Sequence, residues 1–131
     1  MISVRRVNNG ADYPKLKLWW ELRKFPPAIQ EFMPPTGFMV QWNGQDICAG
    51  FLFISDARVA CMANFVSDPA VEKEVRSQCV DRLIEELVRY SKRRGMGLLT
   101  CSTNLKSVMA RFEKHGFIKT DVNVSSFGRL L

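Results

Sequence analysis

The stretch Asn104-Leu105-Lys106-Ser107-Val108-Met109-Ala110-Arg111-Phe112-Glu113-Lys114-His115-Gly116-Phe117 decides the fold. Thr103 or Asn104 carries the side-chain oxygen that accepts from the free amides of a first helical turn, so a helix is expected to begin here. Gly116 is the residue type that ends a helix in the left-handed conformation. Ahead of this segment, Leu98 to Ser102 is a short apolar run that reads as a buried strand. Behind it, Phe117-Ile118 opens a strand expected to pair, through residues 119–122, with Asn123 to Leu130.

Upstream, a long helix is expected from about Val71 to Arg94. Val75, Cys79, Leu83 and Leu87 recur at four-residue steps beside Val80, Ile84 and Val88, while Arg76, Asp81, Arg82, Glu85, Glu86 and Arg89 fall on the opposite face. Gly95 suits its stop. Before the helix lies a meander of three strands. Phe38, Val40 and Trp42 alternate with Met39 and Gln41, Asn43-Gly44 meets the demands of a type I′ turn, and Ile47 to Ile54 continues as an apolar strand. Asp56-Ala57 makes a second turn into Arg58 to Val66, with Val59, Cys61, Ala63 and Phe65 expected on one face. At the N-terminus, Ile2 to Val7 reads as a strand, and Asp12 as the cap of a helix running to about Lys24 with Pro14 in its first turn. The four prolines between Phe25 and Pro35 permit at most a short turn of helix.

The 131 residues suit one domain spanning residues 1–131, and 47% apolar with 24% charged residues is ordinary globular composition. No run approaches the roughly 18 apolar residues of a membrane span, and the first residues lack the apolar core of a signal peptide, so a soluble, cytoplasmic protein is expected. Cys48, Cys61, Cys79 and Cys101 are widely spaced inside apolar segments, with none of the paired spacings that metal sites use. They read as reduced core thiols, and no metal is expected. The net charge of +6 favours acidic partners in general. Nucleic acid is disfavoured, because no groove-reading helix or aromatic-basic stacking motif is present.

The order of elements and the Gly116-Phe117 ending resemble the GNAT superfamily of N-acetyltransferases along nearly the whole chain. The chain is similar to the short, degenerate members found in bacteriophage genomes. The resemblance implies an α/β (α+β) GNAT fold: a central, mixed, mostly antiparallel sheet of six to seven strands flanked by about four helices. It also implies acetyl-CoA as cosubstrate, held between the fourth and fifth strands, with the pyrophosphate at the loop opening the long helix. Carried onto this sequence, the coenzyme contacts are Phe65 and Val66 on the fourth strand, Lys73, Val75, Arg76 and Ser77 at the long helix, and Asn104, Ser107 and Phe112 near the C-terminus.

Two departures stand out. The helix-opening loop has no glycine and carries Glu72 and Glu74, with Lys73 and Arg76 to offset them. Phe112 occupies the position where the family usually places the tyrosine that protonates the leaving thiolate, so no catalytic residue is assigned. His115, the one histidine, reads as structural in the last helical turn. Trp20, Phe25, Phe32 and Met33 are the expected walls of the acceptor pocket, with core packing the competing reading for the tryptophan.

The implied activity is acetyl transfer to an amine of a small molecule or of a host protein, in a protein compatible with a homodimer. The alternative is a catalytically impaired GNAT-fold phage protein that binds and modulates a host protein in the bacterial cytoplasm.

Overall fold

Asn43 and Gly44 take φ values of 48° and 83°, the two left-handed residues that a type I′ turn requires. The turn joins β2 (Thr36–Trp42) to β3 (Gln45–Ile54) in the computed structural model, which describes residues 1–131. Around this hairpin, β1 (Ile2–Arg6) and β4 (Val59–Ser67) pair antiparallel on either side, and β5 (Leu98–Thr100) joins β4 in parallel to give the order β1-β2-β3-β4-β5. Three helices complete the α+β chain: α1 (Asn9–Leu22), α2 (Lys73–Arg93) and α3 (Lys106–Lys114). A single 3-10 turn, Gln30–Phe32, is all the helix that the proline-rich loop forms.

Strand alternation sorts the core into two layers. Phe38, Val40, Cys48, Leu52, Ala60 and Met62 face one way, and α2 covers them with Cys79, Leu83, Ile84 and Leu87. Met39, Ala49, Phe51 and Val66 face the other way, under Leu16, Trp19 and Trp20 of α1. Burying such side chains on both faces, at about 25 cal/mol per Å² of apolar area, is what fixes the register.

The sequence expectations are corrected in several places. The sheet has five strands rather than six to seven, because residues 118–131 join no element, and the chain has three helices rather than about four. Neither Phe117-Ile118 nor Asn123 to Leu130 forms a strand. The cap of α1 is Asn8, whose Oδ1 accepts from the Ala11 amide at 3.0 Å. Asp12 instead accepts from the Asn8 amide at 2.8 Å and holds the Arg5 guanidinium at 2.9 Å. Neither Thr103 nor Asn104 caps α3: its N-cap is Leu105, and Thr103 Oγ1 accepts the Leu105 amide outside the helix. Glu86 is buried rather than solvated, drawing Arg82 and Arg89 to 3.2 Å. The strand after α2 is shorter than expected, and Leu98 on it is half exposed.

In β4 the alternation breaks. Asn64 takes φ 56°, and the pairing with β3 skips between Ala49 and Phe51, so residues 64 and 65 form a bulge opposite Gly50. Cys61 and Ala63 keep to the α1 face, paired with Phe53 and Phe51, but the Phe65 ring crosses to the α2 face. Gly50 makes room for it: a Cβ there would stand 2.6 Å from the Phe65 ring.

Candidate functional site

Parallel pairing of β4 with β5 stops at Cys61 opposite Thr100, so residues 62–67 have no strand on that side. No strand pairs with this edge, which borders an opening between the two strands; of its carbonyls, those of Phe65 and Ser67 accept from the side chains of Trp20 and Arg23. Predicted contacts Phe65 and Val66 lie on it. Phe65 reaches across the opening to Phe112 of α3, ring centroids 6.3 Å apart, and Phe112 in turn packs on Phe117 at 5.4 Å. Phe112 is therefore buried at the back of the opening with no polar atom to offer.

At the end of β4 the chain turns into α2. No side chain caps this helix, and the Lys73, Glu74 and Val75 amides have no hydrogen-bond partner in the chain. They present the positive end of a 21-residue helix. Two guanidinium groups meet nearby. Arg23, at the end of α1, donates from Nε to the Ser67 carbonyl and from Nη2 to Ser67 Oγ, both at 2.8 Å. Burial, followed by the charge of Arg76, holds the Arg23 pKa below its ordinary value. The Nε of Arg76 is buried without a hydrogen-bond partner. The Arg23 guanidinium, within reach of the Arg76 charge, and the partnerless Arg76 Nε accompany three free amides at this end of the helix, and that combination suits an anion bearing several oxygen acceptors.

Ser77 is turned elsewhere. Its Oγ and carbonyl accept from Arg111 at 3.0 and 3.1 Å. Arg111 also holds Asp81 at 2.8 Å, as does His115 through Nε2, with Lys114 at 3.2 Å. Burial pushes the Asp81 carboxyl up, but hydrogen bonds from His115, Arg111 and Lys114 outweigh this and hold its pKa at about 2. The cluster clamps α3 to α2 and so sets how far Phe112 lies from Phe65. His115, the C-cap residue of α3, is one of its hydrogen-bonding side chains, a link to Asp81 that the sequence did not show.

Asn104 and Ser107 are exposed at the start of α3. The four expected pocket walls are not brought together. Trp20 is buried under the sheet, its Nε1 donating to the Phe65 carbonyl at 3.3 Å. Phe32 and Met33 line a cavity of about 410 Å³ with Pro34, Leu52, Phe53 and Arg94, whereas Phe25 is exposed outside it. Leu52 and Phe53 pair with Met62 and Cys61, so this cavity lies toward the start of β4, away from the bulge. Sequence reading did not single out Arg23. Its only signal was a basic residue closing a helix that also carries two buried tryptophans.

No sequence model of a known protein family matches the chain, and no curated protein matches it by sequence. Its three-dimensional form matches solved acetyltransferases. The ribosomal-protein-S18-alanine N-acetyltransferase of Escherichia coli superposes with a TM-score of 0.73 at 17% identity, over 92% of this chain and 80% of that one. A Mycobacterium tuberculosis protein solved with CoA and NLQ gives 0.70 at 15% identity, over 95% and 76%. The glucosamine-6-phosphate N-acetyltransferase of Arabidopsis thaliana gives 0.65 at 10%, over 97% and 98%. At such identities the likeness is one of fold: the chain has the GNAT fold of these enzymes.

Proposed function

We propose that this chain is an acetyl-CoA-dependent N-acetyltransferase that transfers acetyl to an amine of a small molecule or a protein. The observation that carries the reading is the convergence of Arg23, the unpartnered Arg76 Nε and the free first-turn amides of α2 beside an unpaired β4 edge. In this reading the pyrophosphate of the coenzyme lies on the α2 N-terminus between the two arginines, and the pantetheine arm runs along residues 62–67. Lys73, Val75 and Arg76 lie at the phosphate end, Phe65, Val66 and Phe112 at the thioester end. Asn104 and Ser107 flank the opening from α3, and Ser77 acts indirectly through Arg111.

The chemistry asks little of a proton donor. A neutral amine attacks the thioester carbonyl, the tetrahedral intermediate loses the extra proton of its nitrogen to water and collapses to the amide, and the thiolate leaves carrying the C–S electron pair. A thiol with a pKa near 8.5 is a tolerable leaving group without protonation. The chain's contribution is then position and the dipoles of the β4 edge. Trp20 contributes by holding the Phe65 carbonyl at the bulge, and the cavity lined by Phe32 and Met33 at the start of β4, with Phe25 outside it, is proposed as the way in for the acceptor.

Titration calorimetry with acetyl-CoA tests this. Binding is expected for the native chain, with a loss of about 10-fold or more for Arg76→Ala, since a charge-assisted hydrogen bond contributes roughly 1.5–3 kcal/mol. Absence of binding at millimolar coenzyme overturns the reading. The apolar surroundings of Phe112 favour a second reading, a non-catalytic protein that binds a host partner. A stable complex from host extract, with no labelled acetyl product, would support it.

A further inference from the structure

Three guanidinium groups surround one phenol. Arg6 of β1, with Arg93 and Arg94 at the end of α2, lie 5.6, 5.8 and 5.7 Å from the centre of the Tyr90 ring. The negative end of α2 accounts for the two basic residues that close it. It does not account for Arg6, which comes from another element, stacks also on Phe38 at 5.3 Å, and donates from Nη2 to the Pro35 carbonyl at 3.3 Å. Arg93 has Glu86 at 3.8 Å. None of the chain's ion pairs includes Arg6 or Arg94, so two like charges share a ring with no carboxylate to balance them.

The phenol leaves a donor unspent. Tyr90 Oη accepts from Arg94 Nη1 at 2.9 Å, with the buried Thr36 hydroxyl beside it, and no acceptor in the chain takes its own O–H. Arg94, Thr36 and Pro35 all line the cavity of about 410 Å³, whose other walls include Phe32, Met33 and Phe53. The uncompensated arginines therefore stand at the rim of a largely apolar chamber of the size that holds a small molecule. Glu31, on the same wall, pairs with neither of them, which leaves both signs of charge available to a ligand that carries an amine and an anion.

We propose that the acceptor is a small amine that also bears an oxyanion, a carboxylate or a phosphate, held at the rim by Arg6, Arg94 and the Tyr90 hydroxyl while its apolar body lies against Phe32, Met33 and Phe53. This rests on the acetyl-transfer reading and names its substrate class: an anionic amine, not a polyamine, which the same arginines would repel. A guanidinium fork matches carboxylate or phosphate two oxygens at a time. Stacking on Phe38 and Tyr90 holds Arg6 in place beforehand, so less freedom is lost when the anion arrives.

Two pairs of amines, each differing only in the anion, test it: O-phosphoethanolamine against ethanolamine, and phenylalanine against phenethylamine. Binding to the full chain is followed by NMR titration without coenzyme, and acetyl transfer by steady-state kinetics with acetyl-CoA. At least one anionic member is expected to bind about 10-fold more tightly than its anion-free partner. Which pair responds tells phosphate from carboxylate. The double variant Arg6→Gln with Arg94→Gln alters two exposed side chains, and should remove the preference by raising KM for the anionic member with an unchanged circular dichroism spectrum. A preference that persists in this variant, or that is lost in Arg76→Ala, places the anion elsewhere and overturns the proposal. So does equal affinity within each pair, or no binding by any of the four. Anion-selective binding with no acetylated product supports the subsite while overturning acetyl transfer, and acetylation without preference does the reverse.

Discussion

A hydroxyl added to the ring of Phe112 would put a proton donor beside Phe65, whose ring centroid lies 6.3 Å away. If the thiolate leaves unprotonated in the native chain, Phe112→Tyr should raise kcat for acetyl transfer by roughly 10-fold or more, with little change in coenzyme affinity. General acid catalysis contributes about 10²–10⁴-fold where it is well placed. Steady-state kinetics with a fixed amine reads both quantities, and an unchanged kcat would mean that chemistry does not limit the rate. Arg76 shows how far single residues could be read in advance. Its position in the turn that opens α2 was legible from chain order, but its buried, unpartnered Nε and its closeness to Arg23, 53 positions earlier, were not. No local pattern encodes that meeting.

The clamp between α2 and α3 is an element-scale device with a defined pH window. The Asp81 pKa is held at about 2, below its ordinary 3.8, so the stabilisation is fully present above pH 4 and is lost as pH falls from about 4 to 2. Asp12, held below the ordinary value by the Arg5 hydrogen bond, and Asp46, where hydrogen bonds from Lys15, Arg5 and Gln41 outweigh burial, add to the loss in the same direction. Asp81→Asn should remove about 1 kcal/mol at neutral pH once solvent screening is allowed for, and flatten the acid limb of the stability curve, as urea denaturation across pH 2–7 would record. Elements whose signals are local were legible in the sequence: the β2–β3 hairpin from Asn43-Gly44, α2 from its four-residue repeat, the end of α3 from Gly116. The β4 bulge was not, because Phe65 fits the alternating pattern on paper, and only the space above Gly50 and the left-handed Asn64 show that it turns to the other face. The tail failed in the opposite sense: its period-two pattern is real, yet residues 118–131 form no strand.

For the whole molecule, an excess of six positive charges on 131 residues gives a field that attracts a polyanionic coenzyme from any direction. Coenzyme binding should accordingly weaken several-fold between about 0.05 and 0.5 M salt, because the screening length shrinks from more than 10 Å to a few ångströms. A double variant, Arg23→Ala with Arg76→Ala, should bind more weakly at every concentration and show a shallower salt dependence. No helix is long and apolar enough to cross a membrane. Two core layers on opposite faces of one five-stranded sheet hold this charge distribution in place, and α1 ties its own layer to the opening through one hydrogen bond, Trp20 to the Phe65 carbonyl. That bond has an optical consequence. Of the three tryptophans, Trp19 is sealed in the core and Trp42 lies at the far end of β2, so an indole whose emission senses the strain and polarity at the bulge is Trp20 alone. The chain carries a built-in fluorophore wired to the backbone of its cleft, and a ligand that lifts Phe65 by a fraction of an ångström will announce itself as a change of colour.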